Sequence, residues 1–211
     1  NDSSFSLNFD SASARFNDYF LKNLKAQIVS DENILSSRLG IEELIIKDFS
    51  TKNTALEVEA AEDQAKLKFK TEKILGKDLS TEMQLNALCS NREDGKLHVD
   101  ASLGDSFINI GAQRWAFSHP DINWEDEKLS IADFSLSNEA QKIELKGDLS
   151  SVVPSELALI INNLELQTAN ALLDGEMPLS GILEGRISLM TPSHSNAGLN
   201  IDLNCTELKI G

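Results

Sequence analysis

Basic residues are scarce in this chain of 211 residues: 19 lysines and arginines stand against 34 aspartates and glutamates, a formal net charge of −15. Nucleic acid demands clustered cations that displace counterions, so that partner class is excluded, and an anionic lipid surface repels the chain as a whole. Proline (4) and glycine (11) are too few for collagen-like or low-complexity disorder, at a hydrophobic content of 41%. No apolar run approaches the ~18 residues of a membrane-spanning helix. The start, Asn1-Asp2-Ser3-Ser4, lacks the layout of a secretion signal. Two cysteines, Cys89 and Cys205, are far apart and without a C-x-x-C, which leaves neither a zinc framework nor a disulfide scaffold. Both fall on the apolar side of alternating runs and are expected as buried small hydrophobes.

Reactive chemistry is equally thin. His98, His119 and His194 stand alone, without the spacing of a transition-metal site. Nucleophile elbows, phosphate-binding glycine loops and calcium loops are missing, so no cofactor or metal is expected. Acid pairs such as Asp121 with Glu125, or Asp100 with Asp105, could serve a glycosidase only at a defined separation across a cleft. Among 34 acids such pairs arise by accident, and the expected reading is a non-enzyme.

What is present is alternation with a period of two, the signature of strands with one apolar and one wet face. It runs through Phe5, Leu7, Phe9; Leu56, Val58, Ala60; Met83, Leu85, Ala87; Ile143, Leu145, Gly147, Leu149; and Leu157, Leu159, Ile161. The longest run is Leu179, Gly181, Leu183, Gly185, Ile187, Leu189. One-sided burial belongs to antiparallel sheets, and glycines inside a strand mark bends or close backbone approach. Turn signals recur at roughly 8–15 residues, as in a meander. Two stretches carry helical spacing. Thr168–Asp174 predicts a short helix, capped by Thr168 and closed by Gly175. Ser13–Lys25 reads as a helix through Phe16, Tyr19, Phe20 and Leu24, while Phe20–Val29 reads equally as a strand. If helical, its aromatic stripe is expected to lie on the sheet core rather than on a membrane.

An internal repeat is visible: Leu44–Ser50 and Leu129–Ser135 share L-x-I-x-D-F-S, each followed by a polar stretch and an alternating run, so that 44–58 and 129–145 read as one hairpin-like unit used twice. The fold class that follows is all-β: an elongated, curved antiparallel sheet rolled around an apolar interior, with one or two short helices, as a single continuous domain over residues 1–211. By parity, Leu145, Leu159, Leu183, Ile187, Ile201 and Leu203 are expected to point into the apolar interior, as groove or as ordinary core.

The segments L-x-I-x-D-F-S-L, K-I-E-L-K-G-D-L-S, L-A-L-I-I-N-N-L-E-L and P-L-S-G-I-L-E-G-R-I-S-L, in that order between Leu129 and Leu189, resemble the TamB and AsmA-like proteins of bacterial envelopes. The resemblance lies in order and spacing over about a third of the chain and extends weakly to the first repeat. It implies a periplasmic β-taco segment of a longer, inner-membrane-anchored protein of Gram-negative bacteria, with the anchor outside this stretch. It further implies phospholipid acyl chains as cargo moving between inner and outer membrane. Alternatively it implies assistance to outer-membrane protein assembly beside an assembly-type barrel, as in a translocation and assembly module. No catalytic residues come with it. The rival expectation is a closed β-sandwich that serves binding or adhesion, its apolar face consumed by core.

Overall fold

In the computed structural model, described over residues 4–31, 33–47, 49–91, 96–170, 179–191 and 197–210, strands dominate throughout. They are β1 (Phe5–Phe16), β2 (Tyr19–Asp31), β3 (Ile34–Ile46), β4 (Phe49–Ala61), β5 (Gln64–Glu72), β6 (Leu79–Asn91), β7 (Leu97–Leu103), β8 (Phe107–Ile110), β9 (Gln113–Phe117), β10 (Asp121–Glu125), β11 (Lys128–Asn138), β12 (Gln141–Ser150), β13 (Ser155–Glu165), β14 (Leu179–Thr191) and β15 (Gly198–Ile210). A 3₁₀ turn, Ile74–Gly76, and a short helix α1, Leu166–Asn170, complete the described elements. α1 starts two residues before the expected helix, and residues 171–178 lie outside the described residues. Thr168 is therefore inside the helix. Its hydroxyl bonds Gln113 Oε1 at 3.0 Å instead of capping a first turn.

All fifteen strands belong to one antiparallel sheet that runs in chain order from β1 to β15 with a single fork. At the fork the long strand β6 pairs its second half with β7 and its first half with β8. The β7–β10 and β8–β9 lanes run side by side and rejoin on β11. Polar bonds anchor the link between β7 and β8 at the fork: Phe117 N donates to Ser106 O at 3.0 Å, and Gln84 N to Ser106 Oγ at 2.9 Å. The tightest packing gathers here, with Leu103, Ile110, Trp115 and Pro120 buried. The sheet is thus thirteen strand positions wide, about 58 Å at ~4.8 Å per strand. Its outer edges are β1 and β15.

The Ser13–Lys25 helix does not form. β1 ends at Phe16, Asn17 turns with φ 52°, and β2 begins at Tyr19. Helical spacing lost to register, because the hairpin pairs Phe16 with Tyr19, Ala14 with Leu21 and Phe9 with Ala26, and β3 then pairs with β2 along its whole length. A helix would have left those partners bare. Phe16 and Tyr19 are exposed at a strand end, not laid on a core.

Strand bending has a specific cause. A non-glycine residue adopts positive φ inside five strands: Asn23 (48°), Asn53 (50°), Asp133 (56°), Asn163 (50°) and Glu207 (55°). Such an inserted residue bends the strand and shifts the side-chain alternation by one. Apolar or small partners on either side are accordingly three apart rather than two: Leu21 and Leu24, Thr51 and Thr54, Ile131 and Phe134, Ile161 and Leu164. They nevertheless share a face. Thr51 and Thr54 bond through their hydroxyls at 2.8 Å. Ile131 and Phe134 pair with Gly147 and Leu145, two apart on β12.

The repeated L-x-I-x-D-F-S segment serves two different roles, which corrects the single reused unit. In 129–135 it is continuous strand with Asp133 as the inserted residue. In 44–50 the strand stops at Ile46, Lys47 turns with φ 52°, Asp48 lies outside the described residues, and Phe49 opens the next strand.

Candidate functional site: the apolar face

The pairing register assigns side chains to faces, because directly paired residues point the same way. Tracing one row across the sheet gives Phe5, Ser30, Leu35, Ala60, Ala65, Ala87, Ala101, Ile122, Ile131, Gly147, Leu157, Leu189 and Leu199. It crosses all thirteen positions without a charge, and with one hydroxyl. The adjacent row, on the opposite face, reads Ser6, Val29, Ser36, Glu59, Lys66, Asn86, Ser102, Asp121 and Ala132.

The six expected interior residues lie in rows of the apolar face. Leu145, Leu159, Ile187 and Ile201 form one row, headed by Phe134. Leu203 pairs with Gly185 in the next, and Leu183 with Leu164 and Cys205 in the one after. They are not equally covered. Leu145, Leu159, Leu183 and Ile187 are half-buried, whereas Ile201 and Leu203 on the edge strand are exposed. Cys89 is half-buried opposite Val99, and Cys205 is exposed; both are free thiols, so the expectation of burial fails for Cys205 because β15 has a neighbour on one side only.

Two glycines let strands approach closely under this face. A Cβ on Gly185 (φ 146°) would meet Asp202 O at 2.2 Å, and one on Gly147 (φ 119°) would meet Glu156 O at 2.2 Å. The inserted residues that keep the apolar side chains on one face escaped the parity argument. Their trace in sequence is an Asn, Asp or Glu just before the second of two apolar or small residues three apart, as in Leu21-Lys22-Asn23-Leu24 and Ile161-Asn162-Asn163-Leu164.

The opposite face carries ion pairs, two of them between strands and one along β12. Arg186 Nη2 lies 2.7 Å from Glu156 Oε1, Lys142 Nζ 2.8 Å from Glu144 Oε1, and Lys128 Nζ 2.9 Å from Asp148 Oδ2. Hydrogen bonds from those cations hold the three carboxyls below their ordinary values. Asp100 is lowered chiefly by Asn123, whose Nδ2 donates at 2.7 Å, and then by His98 at 2.9 Å. Each of these acids thus has a structural partner. Asp105 sits beyond the end of β7 with a fully exposed side chain, so it does not face Asp100 across a cleft. His98 is in a strand and His119 in a loop; His194 lies outside the described residues. Among the described residues no three His, Cys, Asp or Glu side chains gather as a metal site. No helix among them is long and apolar enough to cross a membrane.

No protein-family model matches the chain, and no curated protein or solved structure matches it.

Proposed function

We propose that the apolar face is a track for phospholipid acyl chains, in a non-enzymatic segment of an envelope protein of the TamB and AsmA-like kind. The observation that carries this reading is the thirteen-position row without a charge from Phe5 to Leu199. An acyl chain has no directional groups to satisfy, so a surface of Leu, Ile, Ala and Phe holds it by contact area alone, at roughly 25 cal/mol per Å². Because the row offers similar contacts at every strand, a tail can move along it without leaving a deep site. Headgroups remain at the polar margin. The setting proposed is the periplasm, with lipid moving between inner and outer membrane and the membrane anchor elsewhere in the protein. Assistance to an outer-membrane assembly barrel uses the same face and is the runner-up within this setting.

Native mass spectrometry of the chain after brief incubation with phosphatidylethanolamine vesicles tests the reading. Bound phospholipid is expected, and Leu183→Arg or Ile187→Asp should abolish it. A folded, lipid-free monomer would instead favour a closed sandwich whose apolar face is core.

A further inference from the structure

Both rims of the sheet, where strands turn, expose large apolar side chains, Leu97 and Trp124 among them at one, but the rims differ in charge. Along one rim the turns carry Asp31, Glu62, Asp63, Glu125, Asp126 and Glu127 against Lys96 and Lys128. At the other rim the ends of β1 to β4 close on a row of Phe16, Tyr19, Ile46 and Phe49. Lys47 N donates to Asp18 O at 3.1 Å, which ties the two hairpin turns of this corner side by side. The 3₁₀ turn that follows β5 contacts β4 and carries Leu75. Phe16 is 74% exposed, Tyr19 45%, Phe49 41% and Leu75 45%.

By sequence, the stretches 15–19, 46–49 and 72–78 are balanced in charge within a strongly acidic chain, with Arg15, Lys47, Lys73 and Lys77 against Asp18, Asp48, Glu72 and Asp78. Glu72 is occupied by Asn53 Nδ2 at 2.9 Å. Arg15 and Lys47 line one depression of about 420 Å³ together with Asp18, Asn17, Phe20 and Ile45. Neither cation has an ion-pair partner among the described residues.

Large apolar side chains at turn tips, beside long cationic side chains, match the layered chemistry of a bilayer interface. Rings settle at headgroup depth, while guanidinium and ammonium groups reach phosphate oxygens. A tip without net charge suits a headgroup layer without net charge, whereas the acidic rim does not. We propose that this corner docks the chain on a zwitterionic phospholipid surface. Arg15 and Lys47 donate to lipid phosphates, and Phe16, Tyr19, Phe49 and Leu75 enter the interfacial zone. Docking at the tip is independent of acyl chains lying on the apolar face.

Co-flotation of the purified chain with vesicles of phosphatidylethanolamine and phosphatidylcholine is the test. The wild type is expected to float. Phe16→Ser with Phe49→Ser should lower partitioning about tenfold or more, and Arg15→Ser with Lys47→Ser should also weaken it. Val152→Ser with Val153→Ser, exposed at the acidic rim at 50% and 48% and outside the apolar row, should leave flotation unchanged. A wild type that stays at the bottom, tip variants that float normally, or a Val152 and Val153 variant that loses as much would each overturn the proposal. Circular dichroism checks that the variants keep their strands. Phospholipid retained by the tip variants in native mass spectrometry, with flotation lost, separates docking from the track.

Discussion

Gly185 and Gly40 occupy the same kind of strand and carry opposite consequences. At Gly185 a methyl would strike Asp202 O at 2.2 Å and Leu203 Cα at 2.8 Å, from a backbone at φ 146° that side chains rarely adopt. At Gly40 nothing lies within 4 Å. Strain and overpacking together predict that Gly185→Ala costs at least about 2 kcal/mol. Gly40→Ala should be neutral or slightly stabilising, through a less flexible unfolded chain. Urea midpoints of the two variants check this, and a Gly185→Ala midpoint equal to wild type would sink the close-approach reading. The spacing Gly181-x-x-x-Gly185 already pointed to bends or close approach, and both residues have positive φ. What approached could not be read, because Asp202 and Leu203 come to this position only through the β14–β15 register.

Inserted left-handed residues govern the strands as elements. A long strand with strict alternation keeps one face, yet a bend requires an extra residue, and that residue would send the apolar side chains of the far half to the wrong face. Spacing the apolar residues three apart across the insertion restores them, as Ile161 and Leu164 do around Asn163. Asn tolerates this conformation better than a branched residue does. Asn163→Val should therefore cost about 1–2 kcal/mol, and Asn163→Gly a small fraction of that, in thermal or urea unfolding. Equal effects would mean that the side chain matters through contacts and not through φ. Strand identity was legible wherever alternation was read as strict, as in β12 and β14. It failed at Ser13–Lys25, where Phe16 on one side of a turn and Tyr19, Phe20 and Leu24 beyond it mimic the 3.6-residue period. The L-x-I-x-D-F-S segment shows the same limit: one pattern is continuous strand over 129–135, whereas in the other copy a turn at Lys47 interrupts it after Ile46, because neighbours decide which residue carries positive φ.

As a whole the molecule is spread rather than compact. Its accessible surface is 13,715 Å², against about 9,700 Å² for an ordinary monomer of 23.2 kDa. The excess follows from one sheet with no second layer over it among the described residues, and with large apolar side chains exposed on both edge strands, Leu7 at 57% and Ile201 at 57% among them. Small-angle scattering of the monomer should give a radius of gyration clearly above the ~17 Å of a compact chain of this length. A value at ~17 Å would mean that the sheet closes on itself in solution.

Alternation in the sequence was sufficient to determine the all-β antiparallel class and, where it was strict, the strand and its one apolar side, because each of these follows from side-chain period within a single element. Which half-buried residues line up across thirteen strands, where the sheet forks around β6, and which face survives each inserted residue were decided by tertiary structure alone. Those properties belong to pairs of strands. A register is a relation between distant residues, held by backbone groups that every residue shares, so no single strand carries a record of it.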